Sequence, residues 1–345
     1  MFVNKKEGFT MTTYRIAPYT IETADGRDEK TPPGVKMIKA PEVWDDSEQG
    51  KGIVVAILDT GCDKNHPDLK DRILFGKNTT ERGNESDFSD IAGHGTHVAG
   101  TIAANGTGIF GVAPQARLAI YRVFTPTAIP NRPTAFNKDI ITAIHDCIKW
   151  NQEHSKEDHI RIINMSFGSP DDDDALHKAI QEAVKNEILI ICAAGNEGDS
   201  GSGGDGSPDK DECSYPAKYP EVISVAAVTL DRKFVDFSNT NIDNDLAAPG
   251  SGILSTYPKD KDNRDGIKDG YATLSGTSMA APHVSGASAL IIKQCEDDFK
   301  RTLTETEIYA QLIKRTVSLG LDRRVEGNGL LDLTEGYRTF PNTNQ

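Results

Sequence analysis

Five short runs rich in β-branched and other apolar residues constrain this chain more than any other feature: residues 53–58, 118–123, 160–165, 188–193 and 222–228. The first, Ile53-Val54-Val55-Ala56-Ile57-Leu58, has no polar member, so it suits a strand covered on both faces. Helical patterns lie between the runs. Residues 137–152 carry Ile140, Ile141, Ile144 and Ile148 at helical spacing, and residues 172–185 open with acids that favour a helix N-terminus. Parallel strands need crossover connections, so the alternation predicts an α/β fold, a parallel sheet with helices on both faces. A further helix is expected over residues 305–316. No linker or internal repeat interrupts the pattern, which predicts one domain over 32–345 preceded by a polar extension, 1–31. Residues 125–133, with three prolines, and the polar stretches 198–211 and 259–269 read as surface loops.

Charge narrows the partners. Against 52 acidic side chains stand 38 basic ones, a net charge of −14, which disfavours nucleic acid and anionic lipid because both need a basic face. No run approaches the roughly 18 apolar residues of a membrane span. The first eight residues lack the apolar stretch of a secretory signal, so cytoplasmic residence is expected. Cys62, Cys147, Cys192, Cys213 and Cys295 are odd in number, widely spaced and without a C-x-x-C pair, and they read as reduced thiols.

Residues 274–286 form a strand end, a glycine turn and the start of a helix whose next residues are small or apolar. Ser278 is the candidate nucleophile there, and Pro282 is expected in the first helical turn, where its missing N–H has no partner to lose. Taken alone, the stretch equally suits a buried helix whose serines only cap it. Asp59 follows the first strand directly, at the edge of an open α/β sheet where ligand sites lie. His94 stands between glycines at a helix entrance, and His97 reads as a packed helical histidine. Their spacing also occurs in zinc pairs, but the apolar helix after His97 offers no further ligand. An aspartate, a histidine and a serine at element ends are the parts that activate a hydroxyl: Ser278 to attack a carbonyl, His94 to carry the proton, Asp59 to hold the imidazole. The chain order Asp, His, Ser differs from those of chymotrypsin and the α/β-hydrolases.

Asp59-Thr60-Gly61, the stretch from His94-Gly95-Thr96-His97 to Gly100, and Gly276-Thr277-Ser278-Met279-Ala280-Ala281-Pro282-His283 match three motifs of one family. Over about Pro32 to Leu333 the chain resembles the subtilisin-like serine proteases. The resemblance implies a three-layer α/β/α fold with a mostly parallel seven-stranded sheet, and protein or peptide substrates. It also makes Asn196 the side-chain donor of an oxyanion hole, with the backbone N–H of Ser278 as the second donor. Ser166, Phe167 and Gly168, with Ala193, Ala194 and Gly195, resemble the two pocket walls, whose glycines let a peptide backbone come close. Glu197 would stand at the pocket rim, compatible with a basic side chain, while a broad preference for large, uncharged residues is the expectation. The loop at 125–133 is longer and richer in proline than is usual in the family.

Ile16-Ala17-Pro18-Tyr19 resembles the Leu-Ile-Pro-Tyr element of intracellular subtilisins, and Cys62 after Asp59-Thr60-Gly61 is typical of that group. In those enzymes the extension lies across the active site as an inhibitor, and its proline disfavours cleavage. This implies a chain held inactive until the residues before Pro32 are removed, and a homodimer. Asp68 matches a family calcium ligand, although residues 105–109 make a shorter loop than the family's, and Asp245 matches a weaker cation position near Ala217 and Tyr219. The acidic stretches 205–212 and 260–269 lack EF-hand spacing and read as solvated loops. A different class of function, a catalytically silent peptide-binding or scaffold protein, requires a pocket blocked by the insertions or the extension. An esterase fails on motif and chain order.

Overall fold

A computed structural model describes residues 11–16, 19–22, 29–128, 133–207, 211–262 and 268–336. Numbered in chain order, seven parallel strands make the spine: β4 (Ile73–Asn78), β5 (Arg117–Arg122), β3 (Val54–Asp59), β8 (Ile160–Met165), β9 (Leu189–Ala193), β10 (Ile223–Val228) and β11 (Leu246–Pro249), in that spatial order. Two-residue strands extend the β11 edge, β15 (Leu330–Leu331) parallel and β14 (Thr316–Val317) antiparallel. The seven long strands agree with the family expectation.

Why the central strand lacks alternation is visible in β3. Successive side chains point to opposite faces. Val55 and Ile57 pack into one core with Val98 and Ile102 of α2 (His94–Ala103) and with Val284 of α5 (Thr277–Phe299). Val54, Ala56 and Leu58 enter the other, with Ile140 and Ile144 of α3 (Asn137–Glu153) and Ile180 of α4 (Asp174–Lys185). Both faces are therefore dry, and three layers follow. Each fully buried Leu, Ile or Val contributes about 1.5–3 kcal/mol relative to exposure.

Element ends differ from expectation where capping or pairing intervenes. The second predicted helix starts two residues late, because the Asp173 carboxylate accepts from the N–H groups of Ala175 and Leu176 and so caps α4. The helix expected to reach Thr316 stops at Ile313, as α6 (Glu305–Ile313), and Thr316 pairs in β14 instead. Short helices α1 (Pro33–Met37) and α7 (Arg323–Glu326) lie near the two ends of the described domain.

Two small sheets border the carboxyl edge of the spine. One joins the hairpin β6 (Phe124–Thr125) and β7 (Thr134–Phe136) to β1 (Thr13–Arg15); the other joins β12 (Ile253–Thr256) and β13 (Tyr271–Ser275) to β2 (Thr20–Glu22). The proline-rich stretch runs from β6 to β7, with residues 129–132 outside the described residues, and the extension supplies one strand to each sheet. Among the described residues no helix is long and apolar enough to cross a membrane, and all five cysteines are free thiols.

Candidate active site

Asp59 is the last residue of β3 and His94 the first of α2. Both are fully buried, and His94 Nδ1 stands 2.9 Å and 3.0 Å from the two carboxylate oxygens of Asp59. Asp59 Oδ1 also accepts the Thr60 N–H at 2.7 Å. A carboxylate here fixes the proton on Nδ1, which leaves Nε2 as the basic nitrogen. Nε2 has no hydrogen-bond partner among the described residues.

What holds the pair together is a residue to which the sequence reading gives no role. Gly93 precedes α2 and has no side chain to cap it. Asp90 does that work from outside: Oδ1 accepts from Thr60 Oγ1 (2.7 Å), Ala92 N (3.0 Å) and Gly93 N (2.7 Å), and Oδ2 from Thr96 N (2.8 Å) and Thr96 Oγ1 (2.6 Å). Thr60 Oγ1 in turn accepts the Gly95 N–H at 2.9 Å. The strand end that carries Asp59 is thereby bound to the helix start that carries His94. Thr60 and Thr96, both inside the matched motifs, are the available sequence signal.

Ser278 is the second residue of α5 and is fully buried. Its Oγ donates to the Ser166 carbonyl at 2.9 Å. Pro282 lies deeper in α5 than the first turn expected for it, and its position matters. Without an N–H it leaves the carbonyl of Ser278, four residues earlier, without a helical partner. Ser166 Oγ donates to that carbonyl at 3.2 Å, so Ser166 and Ser278 exchange two bonds. Behind them Asn164 Nδ2 donates to Ser166 Oγ (3.0 Å), and Ser285 Oγ donates to Asn164 Oδ1 (2.8 Å). This buried chain locks the head of α5 to the end of β8.

Asn196 follows β9. Its Oδ1 accepts from Thr277 N (2.9 Å) and Thr277 Oγ1 (2.7 Å), which directs the NH₂ end of the amide toward Gly276. The pocket-wall residues also converge on this edge. Ser166, Phe167 and Gly168 follow β8, while Ala193, Gly195 and Glu197 end β9 or follow it. A Cβ on Gly168 would collide with Ser214 Oγ, so this glycine lets the two segments pack closely. Glu197 is half-buried and accepts from Asn239 Nδ2 at 2.8 Å; burial raises its carboxyl above the usual range.

Described parts of the extension lie against these residues. Arg15 and Gly168 exchange N–H···O bonds, both 3.0 Å, while the other edge of β1 pairs with β7. Tyr14 is fully buried, edge-on to Phe167 with centroids 6.0 Å apart, and Phe167 is edge-on to Phe124 at 5.5 Å. Burial, then the nearby Asp173 charge, pushes the Tyr14 phenol well above its usual pKa. Ile16 packs on the same core. The Tyr19 ring lies 5.5 Å from that of His94, and β2 continues the path along β13. Ala17 and Pro18 lie outside the described residues.

His97 is a packed histidine, as expected. Its Nε2 donates to the carbonyls of Ile253 (3.0 Å) and Ala272 (3.1 Å), and burial lowers its pKa to about 3. His94 being bound to Asp59, the two do not make a zinc pair, and among the described residues no three His, Cys, Asp or Glu side chains gather as metal ligands. The two expected calcium ligands accept hydrogen bonds from the protein itself. Asp245 accepts from the Ser224 N–H and the Tyr309 hydroxyl, both at 2.8 Å, and Asp68 accepts from the Gly108 and Ile109 N–H groups and the Tyr271 hydroxyl. Oxygens already facing donor protons are poor ligands for a hard cation.

Comparison with known proteins identifies this arrangement. The subtilase family model matches residues 50–337. An intracellular serine protease of Paenibacillus polymyxa is 48% identical over 324 residues, 92% of this chain and 90% of the relative. The major intracellular serine protease of Bacillus subtilis is 46% identical over 93% of each chain. A subtilisin of Bacillus pumilus is 36% identical over 88% of this chain and 98% of its own length. A match spanning the sheet and both helices that carry the site leaves one assignment: the chain belongs to the subtilase family and is a subtilisin-like serine endopeptidase.

Proposed function

We propose that the chain is an intracellular protease that cleaves peptide bonds of proteins through Asp59, His94 and Ser278, and that its N-terminal extension restrains it. The location rests on the names of its two intracellular relatives. In the chemical step Ser278 Oγ attacks the scissile carbonyl as its proton passes to His94 Nε2. Asp59 stabilises the resulting imidazolium, which then protonates the departing amine, and water releases the acyl group by the same path in reverse. The Asn196 amide and the Ser278 N–H receive the oxyanion. Loss of such a side-chain donor lowers kcat about 10²–10³-fold, a magnitude already established for a subtilisin.

The observation that carries the reading is the ladder between Arg15 and Gly168. A substrate strand in that register lies antiparallel to residues 166–168, and its residue two places further on faces Ser166, whose carbonyl holds the Ser278 hydroxyl. Arg15 of the extension holds that register, the Tyr19 ring lies tilted beside that of His94, and the bond from Ser278 to His94 is not made. Proline at position 18 suits an inhibitor that enters as a substrate and resists being cut.

The test uses a serine-directed fluorophosphonate on the full-length chain and on a form beginning at Lys30. The shortened form is expected to label at Ser278 at least about tenfold faster, since a competing strand must otherwise leave first. His94→Ala abolishes labelling of both. Equal rates would remove restraint by the extension, and a folded, shortened chain that never labels would be a peptide-binding scaffold.

A further inference from the structure

Residues that a cation would join in a related enzyme are joined here by protons. Asp68 is fully buried; its Oδ1 accepts the Gly108 N–H at 2.8 Å, and its Oδ2 accepts the Tyr271 hydroxyl at 2.6 Å and the Ile109 N–H at 3.4 Å. The oxygens of the neighbouring loop are engaged in the same way. Asn105 Oδ1 accepts from Thr107 N–H (2.9 Å), Gly106 O from the Lys30 ammonium (3.0 Å) and Ile109 O from Gly106 N–H (2.8 Å). Calcium requires about six to eight oxygens at roughly 2.3–2.6 Å with lone pairs turned toward it. These three loop oxygens face N–H and ammonium groups instead.

We infer that Asp68, Gly108, Ile109, Tyr271 and Lys30 form a metal-independent lock, in which a hydroxyl, two amides and an ammonium group take the place of a divalent cation. Gly108 is required, because a Cβ there would strike the Tyr271 hydroxyl. The lock joins three parts of the chain. Tyr271 opens β13, whose edge receives β2 of the extension, and the Phe110 N–H donates to the Lys30 carbonyl at 2.8 Å, where the chain enters the domain.

Melting the full chain, kept intact by Ser278→Ala, in calcium chloride and in chelator tests this. The two melting temperatures are expected to coincide. Tyr271→Phe lowers both by about 2–4 °C, the loss of one hydroxyl bond to a buried carboxylate, and raises deuterium exchange in residues 105–110. Lys30→Met, at an exposed contact, lowers them by less. A chelator effect of equal size in the parent and in Asp68→Asn places any cation elsewhere and counts for the lock. A chelator effect that Asp68→Asn abolishes would overturn it, as would a Tyr271→Phe chain with unchanged melting and exchange.

Discussion

His94 and His97 lie one turn apart on the same helix, both fully buried, and the difference between them lies wholly in what faces them. His94 meets the carboxylate that ends β3, which accepts from Nδ1 and leaves Nε2 without a partner; His97 meets two carbonyls from β12 and β13, which fix a neutral tautomer by accepting from Nε2. Burial is common to both, so burial alone does not make a base. A histidine becomes useful for proton transfer when a second charge offsets its desolvation and its remaining nitrogen faces the cleft. The nearest neighbour, more than the helix, assigns the role.

The largest test of that contrast removes each ring in turn. His94→Ala is expected to lower kcat on the order of 10⁶-fold, the loss established for the same residue in a subtilisin. His97→Gln keeps a donor for the two carbonyls and should leave kcat near the parent value, at a lower melting temperature. If both variants lose activity alike, the division of roles fails. Next in size is the carboxylate. Asp59→Asn preserves the shape but favours the wrong His94 tautomer, and a fall of about 10⁴-fold in kcat follows with little change in KM. An Asp59→Asn enzyme of near-parent activity would mean that the packing around His94, and not the charge of Asp59, sets its state.

Much of this site is legible in the sequence because each main residue terminates a strong local pattern. Asp59 ends an unbroken apolar run, and Ser278 follows a glycine turn. What is not legible is contact at long range. Asp90 reads as one more loop acid until its five bonds are traced, and Tyr271 reaches Asp68 across 203 positions of sequence. The extension has too short a pattern to announce strands, since β1 and β2 are made by the edges they join. Pro282 shows the limit of local rules most clearly: it departs from the expected first turn, and the carbonyl it frees is used by Ser166. Among the strands, β4 escapes notice because Gly76 and Lys77 break its apolar run at the sheet edge, and β11 because it is only four residues long.

The smallest predicted effect concerns stability and isolates His97. Its folded pKa is about 3, against about 6.5 for the unfolded chain. Between those values the unfolded state binds the extra proton, so stability is full above pH 6.5 and falls as the pH drops toward 3. Near pH 5 the loss from this one ring amounts to about 2 kcal/mol. His283, lowered to about 4 by burial, adds a loss of the same sign, so the effect of His97 must be read as a difference. Urea midpoints at pH 7 and pH 5, in the Ser278→Ala background, measure it. His97→Gln cannot titrate and should lose less stability between the two pH values than its parent by that amount. An unchanged pH dependence would mean that His97 is charged when folded at pH 5, and the two carbonyls it faces would then not hold a neutral ring.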